Sequence, residues 1–368
     1  MSLRVLFPFI GDTVGGSHIS SWQLIWSLPE FDVEPVILLH QGDGYHARWL
    51  NDQGARWHVA DLPVLYAGCR LDINILKNVK GVLEARRILK DLNIDLVHGN
   101  DGRINYAWSF WSRLSGVPLV WHQRSRWSWS RMSRLALPFA KGVISISQFV
   151  ASGAPVIKRP HVTIYNPIAV QHRDRRQCAK NLRKELGLAN DVKLIGCFGN
   201  PRRSKRPDTV VEMSTILQRQ AYFKFKVLWF GNDQDGILDN LLNTAESTCP
   251  IQRIPFRSDV LGAMAGCDTL LASAENDAFG RSLVEAMTVD TPVVASNSGG
   301  HKEIIKHGVN GLLFPVGDAE YCAKLIIQLL DDDDLKKQLV HSGRNMAKRF
   351  DPKRHANQVA NFYRQLLA

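Results

Sequence analysis

Two carboxylates, Asp277 and Glu285, stand eight residues apart in the stretch ASAENDAFGRSLVEAM, on either side of Phe279-Gly280. A glycine-bearing turn that opens a helix aims backbone N–H groups at an anion. The spacing predicts a helix from near Gly280, with Leu283 and Met287 at i, i+4 facing a core and Glu285 on the opposite side beside Arg281. Glu285 could there accept hydrogen bonds from a pair of sugar or ribose hydroxyls, while the N–H groups around Phe279–Arg281 meet phosphate oxygens. The competing assignment is an Arg281–Glu285 surface ion pair, which contributes only about a few tenths of a kcal/mol.

Other residues carry chemistry of the same kind. The loop GNPRRSKRP gathers Arg202, Arg203 and Lys205, either as a solvated basic loop or as partners for phosphate, where each charge-assisted contact contributes about 1.5–3 kcal/mol. Gly15-Gly16-Ser17-His18 follows the first apolar run and opens a helix over Ser17–Leu28. His98 and His122 end the runs LVH and PLVWH. From His122 to Arg134, Arg124, Arg126, Arg131 and Arg134 interleave with Trp127, Trp129 and Met132. That mixture suits an anionic lipid interface, single-stranded nucleic acid, or a partly buried loop with solvated arginines. Asp233-Gln234-Asp235 has the spacing of a metal-binding DxD, but it follows VLWFGN and reads as a helix N-terminus.

The elements that must position these residues alternate along the chain. Strands are expected at Arg4–Phe9, Pro35–Leu39, Arg56–Val59, Asp95–His98, Pro118–Trp121, Gly142–Ile146 and Val162–Ile164, with helical patterns such as Leu76–Leu92 and Arg103–Leu114 between them. A second series follows: Lys193–Phe198, Lys224–Phe230, Ile251–Phe256, Thr269–Ala272, Pro292–Ala295 and Leu312–Phe314. Such alternation predicts an α/β protein of two Rossmann-like domains, 1–170 and 171–351, whose nucleotide-binding edge is the carboxyl edge of a parallel sheet. Gln171–Asn181 reads as a linker or helix start. The tail 352–368 is an amphipathic helix that caps the second domain or packs back on the first. Asp331–Asp334 reads as a solvated helix junction.

At 368 residues with 45% hydrophobic side chains, the chain can bury two cores. Its formal charge of +11 favours an acidic partner: a nucleotide, a phospholipid surface or a nucleic acid. Six scattered cysteines, without CxxC or metal-type spacing, suggest reduced buried thiols. No signal peptide and no membrane-spanning helix is expected.

ENDAFGRSLVEAM, TPVVAS, SGGHKE and NGLLFPVGD together resemble the C-terminal signature of the GT-B retaining glycosyltransferases of family 4 (glycosyl transferases group 1). The resemblance implies two Rossmann-like domains whose parallel sheets face each other across a cleft, an N-terminal acceptor domain and a C-terminal donor domain. It implies that Glu285 holds the ribose, that Asp277 and His122 touch the donor sugar and reacting centre, and that Lys205 with Arg202 or Arg203 neutralises the diphosphate. Gly16 and the Ala278-Phe279-Gly280-Arg281 turn would approach phosphate, and Phe256 would lie near the base. Two departures stand out: Asp277 occupies the usual Glu position, and Asn200 the usual Arg position. The implied activity is metal-independent, retaining hexosyl transfer (EC 2.4) from a nucleoside-diphosphate sugar to a glycan, lipid-linked or other hydroxyl acceptor, in cell-envelope polysaccharide synthesis. No cofactor and no metal ion is expected, nor nucleic acid as a partner. The expected location is the cytoplasm, with peripheral contact to the inner membrane face through residues 122–134. A nucleotide-sugar epimerase, or a non-catalytic anion- or lipid-binding protein, would share the same scaffold.

Overall fold

A computed structural model describes residues 2–12, 14–63, 66–67, 70–71, 75–127, 131–155, 158–244 and 249–368. Cys69 and Trp129 lie outside them, as do the side chains of Arg131 and Met132. The chain forms two compact units: Met1–Pro167 with Pro352–Ala368, and Ile168–Asp351.

Unit 1 is built on a seven-stranded parallel sheet. Its strands are Leu3–Phe9, Val33–Leu39, His58–Val59, Leu96–Gly99, Leu119–Gln123, Gly142–Ser145 and His161–Thr163. Numbered along the chain, they lie in the order 3-2-1-4-5-6-7, every pair parallel. The apolar run of the first strand is buried on both faces (Val5, Leu6 and Phe7 at 0% exposure), as a helix-covered parallel sheet requires. Helix Gly102–Ser115 starts where Asp101 caps the N–H of Ile104 and stops at Gly116, whose φ of 79° suits glycine. The tail forms helix Pro352–Leu367, and its Ala356, Val359, Ala360 and Tyr363 stripe packs into the unit 1 core with Trp22 and Phe7.

Unit 2 carries six parallel strands, Lys193–Phe198, Phe225–Phe230, Ile251–Ile254, Thr269–Ala272, Val293–Ser296 and Leu312–Phe314, in the order 3-2-1-4-5-6. Both orders are those of doubly wound nucleotide-binding sheets, so the chain has two Rossmann-like halves. The third strand ends two residues earlier than the sequence suggests, because Pro255 has no N–H for the ladder. The stretch read as a linker or helix start is helix Arg175–Glu185, capped by Asp174. Asp332 caps helix Asp333–Ala347, so the acidic run is a helix junction. Among the described residues, no helix is long and apolar enough to cross a membrane.

Candidate active site

In unit 2 the first strand ends at Phe198 and the fourth at Ala272, and the two are adjacent in the sheet. That adjacency is the point where strand order reverses, so the loops after them meet at the carboxyl edge. They are stitched together: Ser273 Oγ donates to the Lys205 carbonyl at 2.6 Å, and the Glu275 N–H to the Ser204 carbonyl at 2.8 Å. Across this seam Lys205 Nζ lies 2.6 Å from Asp277 Oδ2. Two candidates 72 positions apart in sequence thus form one ion pair, with side-chain exposures of 34% and 19%.

The other oxygen of Asp277 shapes the turn. Oδ1 accepts the N–H groups of Phe279 and Gly280, each at 3.1 Å. These amides were expected to stand open to phosphate; the carboxylate two residues upstream takes them instead, because a short Asp in this turn reaches its own downstream backbone. Gly280 (φ 96°) adopts the left-handed conformation and starts helix Arg281–Thr288. Phe279 is buried against Phe350, so its side chain anchors the turn. Gly299 and Gly300 press on the same loop: Gly300 N–H donates to the Asp277 carbonyl at 2.8 Å, and a Cβ on Gly300 would fall 2.6 Å from Phe279 Cα.

Helix Arg281–Thr288 buries Leu283 and Met287 as its periodicity predicts. Glu285, on the other side, accepts from Arg281 Nε at 2.7 Å, with the pair mostly buried (16% and 20% exposed). Burial pushes the Glu285 carboxyl up, and the Arg281 guanidinium offsets part of that rise. Burial acts the same way on Asp277, but there the Lys205 charge, His301 and the two N–H donors win, holding its carboxyl well below the usual range.

His301 received no role from the sequence, although it follows the Gly-Gly pair. It is buried with its Nε2 3.9 Å from Asp277 Oδ2 and its Nδ1 against Ser296; burial lowers its pKa. Arg206, also unassigned, pairs with Asp208 and reaches Glu275 at 3.8 Å. Arg202 and Arg203 are exposed and make no ion pair among the described residues. Phe256 is 63% exposed. Asp233 spends both carboxylate oxygens capping helix Ile237–Thr244, through the N–H groups of Ile237 and Asp239.

In unit 1, Gly16 is exposed as the first residue of helix Gly16–Ser27, and Gly15 N–H donates to His18 Nδ1 at 3.1 Å. His18, Asp101, Arg103, Tyr106, Trp121 and Trp127 line a cavity of about 300 Å³, and Asp12 clamps Arg103 through two contacts of 2.6 and 3.0 Å. His98 and His122, at adjacent strand ends, are fully buried. Arg124 can only donate, and its Nη2 lies 3.3 Å from His122 Nδ1, which must therefore accept. His98 Nε2 then donates to that nitrogen at 3.0 Å, and Tyr363 Oη donates to His98 Nδ1 at 2.6 Å. The chain of donors leaves the His122 proton on Nε2, which has no hydrogen-bond partner among the described residues. Burial holds both imidazoles neutral. Of the His122–Arg134 segment, Arg124 also binds Asn166 at 2.8 Å and Trp127 stacks on Trp121 at 7% exposure, so these two side chains face inward.

With this geometry the chain can be set beside known proteins. Residues 179–346 match the model of the glycosyl transferases group 1. N-acetyl-alpha-D-glucosaminyl L-malate synthase of Bacillus anthracis is 27% identical over 206 residues, covering 56% of this chain and 54% of that protein. D-inositol 3-phosphate glycosyltransferase of Corynebacterium urealyticum is 27% identical over 199 residues, 52% and 47% of the two chains. The chain thus spans about half the length of the curated relatives it matches. The crystal structure of Anabaena Alr3699/HepE with UDP and glucose superposes with a TM-score of 0.82 at 22% identity, over 98% of this chain and 99% of that one. Residues 179–346, within unit 2, thus resemble the glycosyl transferases group 1, and the fold of the whole chain is similar to that of the Anabaena protein.

Proposed function

We propose that the protein is a retaining glycosyltransferase that moves a hexosyl group from a nucleoside-diphosphate sugar to a hydroxyl of a glycan or lipid-linked acceptor, without a metal ion. The observation that carries this reading is the contact of Lys205 with Asp277 at the switch-point edge of unit 2, one turn before the helix that bears Glu285. In the free protein Lys205 is neutralised by Asp277. A diphosphate offers it a denser charge, so Lys205 would transfer its contact to the leaving group and stabilise the charge that builds there. Asp277, released from Lys205 but still held by two N–H donors, would receive donor-sugar hydroxyls. Glu285, desolvated and already accepting one N–H, would take the ribose hydroxyls. Asp277, with one oxygen tied to its own turn, is assigned to binding the donor sugar, and substitution then proceeds on the front face with the leaving phosphate oxygen taking the acceptor proton. In unit 1 the neutral His122 offers an Nε2–H donor to substrate, and the cavity beside His18 would take the acceptor. Envelope polysaccharide synthesis on the cytoplasmic side is the setting this reading favours.

The test is donor turnover against a panel of nucleotide sugars beginning with UDP-glucose, since the Anabaena protein of the same fold was crystallised with UDP and glucose. Transfer that survives EDTA and preserves the anomeric configuration is the expected result. Isomerisation of the donor without acceptor would favour an epimerase, and metal-reversible loss with EDTA would refute metal independence.

A further inference from the structure

We infer that unit 1 docks on an anionic lipid bilayer through the amino edge of its sheet, a face distinct from both the 122–134 segment and the candidate site. Residues 102–167 contain nine Lys and Arg and no Asp or Glu, and the tail helix 352–368 is also free of carboxylates. The fold gathers part of this charge around one groove of about 430 Å³, lined by Arg113, Phe139, Lys141, Arg159, Leu366 and Leu367. Lys141 and Arg159 stand just before the strands Gly142–Ser145 and His161–Thr163, and Arg113 lies in the last turn of helix Gly102–Ser115, which leads into Leu119–Gln123, so the groove lies at the amino edge. His98 and His122 sit at the carboxyl ends of their strands, leaving that edge uncovered by a docked membrane.

Charge alone would describe a solvated surface, but apolar side chains surround these cations. Leu114 is 64% exposed, Leu135 58%, Phe139 39% and Leu367 41%. The Phe110 ring lies against Phe139, centroids 5.0 Å apart and tilted by 49°, and Leu114 follows Phe110 by one helical turn, so Leu114 extends the same stripe toward the groove. None of Arg113, Lys141 and Arg159 pairs with a carboxylate among the described residues; Arg159 instead holds the Pro138 carbonyl at 3.0 Å, which fixes the turn presenting Phe139. Exposed large apolar groups ringed by unneutralised cations match the boundary of an anionic bilayer, where apolar tips enter the acyl region and cations meet phosphate headgroups. The inference goes beyond the transferase reading and does not depend on it.

The experiment is co-sedimentation of the full chain, without nucleotide sugar, on phosphatidylcholine vesicles and on vesicles of equal parts phosphatidylcholine and phosphatidylglycerol. Binding is expected on the anionic vesicles only, weakening with salt. The double variant K141E/R159E should lose at least about tenfold in partitioning, and L135S/F139S should remove the fraction that resists salt. Both pairs lie on the surface, and an unchanged melting temperature confirms folding. Absence of binding to anionic vesicles would overturn the inference, as would equal binding by both variants. Self-association abolished by L135S/F139S without vesicle binding would reassign the face to a second copy of the chain, and binding to single-stranded DNA in place of vesicles to nucleic acid.

Discussion

Replacing Asp277 by Asn or by Ala separates architecture from chemistry at the candidate site. Asn keeps an oxygen that can accept the Phe279 and Gly280 N–H groups, each now 3.1 Å from Oδ1, but removes the charge that faces Lys205 at 2.6 Å. Ala removes both. A hydrogen bond to a charged acceptor contributes about 1.5–3 kcal/mol, and a neutral acceptor roughly half of that. In D277A the two amides should therefore exchange with solvent roughly 10–100-fold faster than in wild type, whereas D277N should retain most of the protection. Native-state hydrogen exchange read at these residues is the assay. Wild-type protection in D277A would refute the assignment of Asp277 as the turn's organiser. Both variants should lose sugar transfer, since neither presents a carboxylate to the donor; wild-type transfer by D277N would reduce Asp277 to a purely structural role. Acid adds a check on sign. Because the folded carboxyl is held below its unfolded value of about 3.9, its contribution is complete above that pH and is lost as pH falls below it. The stability difference between wild type and D277N should thus be flat near neutrality and shrink below about pH 4.

Lys205→Met should lower kcat/KM at least about tenfold, the scale of one lost charge-assisted contact; wild-type kinetics would remove Lys205 from the site. Glu285→Gln should abolish transfer in a folded protein. Because burial raises the Glu285 carboxyl, wild type should lose stability relative to this variant as pH rises from about 4.3, reaching a plateau above the raised value; a parallel pH dependence would deny the burial effect. Gly300→Ala should cost about 1–3 kcal/mol in chemical denaturation, since its Cβ would meet the Phe279 backbone; an unaltered midpoint would mean the loop yields freely. Nitrogen-15 NMR of labelled histidines should find His122 protonated on Nε2 and neutral through mildly acidic pH; a proton on Nδ1 would contradict the donor chain from Arg124 and Tyr363.

Strand and helix identities were legible because parallel, helix-covered strands read as short apolar runs, and the thirteen runs expected correspond to the strands of the two parallel sheets; the two-residue antiparallel strands Tyr66–Ala67 and Arg70–Leu71 were not expected. Glu285, Leu283 and Met287 were legible for a related reason: helical periodicity alone sorts them between core and opposite face. Long-range pairing was not. Nothing local in ENDAFG says that Asp277 will spend one oxygen on its own turn and the other on a lysine 72 positions earlier; that follows from adjacency of the first and fourth strands. His301 was invisible for the same reason, since a histidine after two glycines has no chemistry until folding brings Asp277 beside it.

The tail illustrates the division most directly. Its amphipathic period marked a helix that must bury Val359, Phe362 and Leu366, yet the same stripe would satisfy either unit. Packing on unit 1 decided the matter, and with it placed Tyr363 against His98, 265 positions away. Local spacing determined which elements form and which side of each is apolar, because those depend on backbone geometry within a few residues. The protonation states of Asp277, Glu285 and His122 were left to the tertiary structure, because charge and burial act through space between residues distant along the chain.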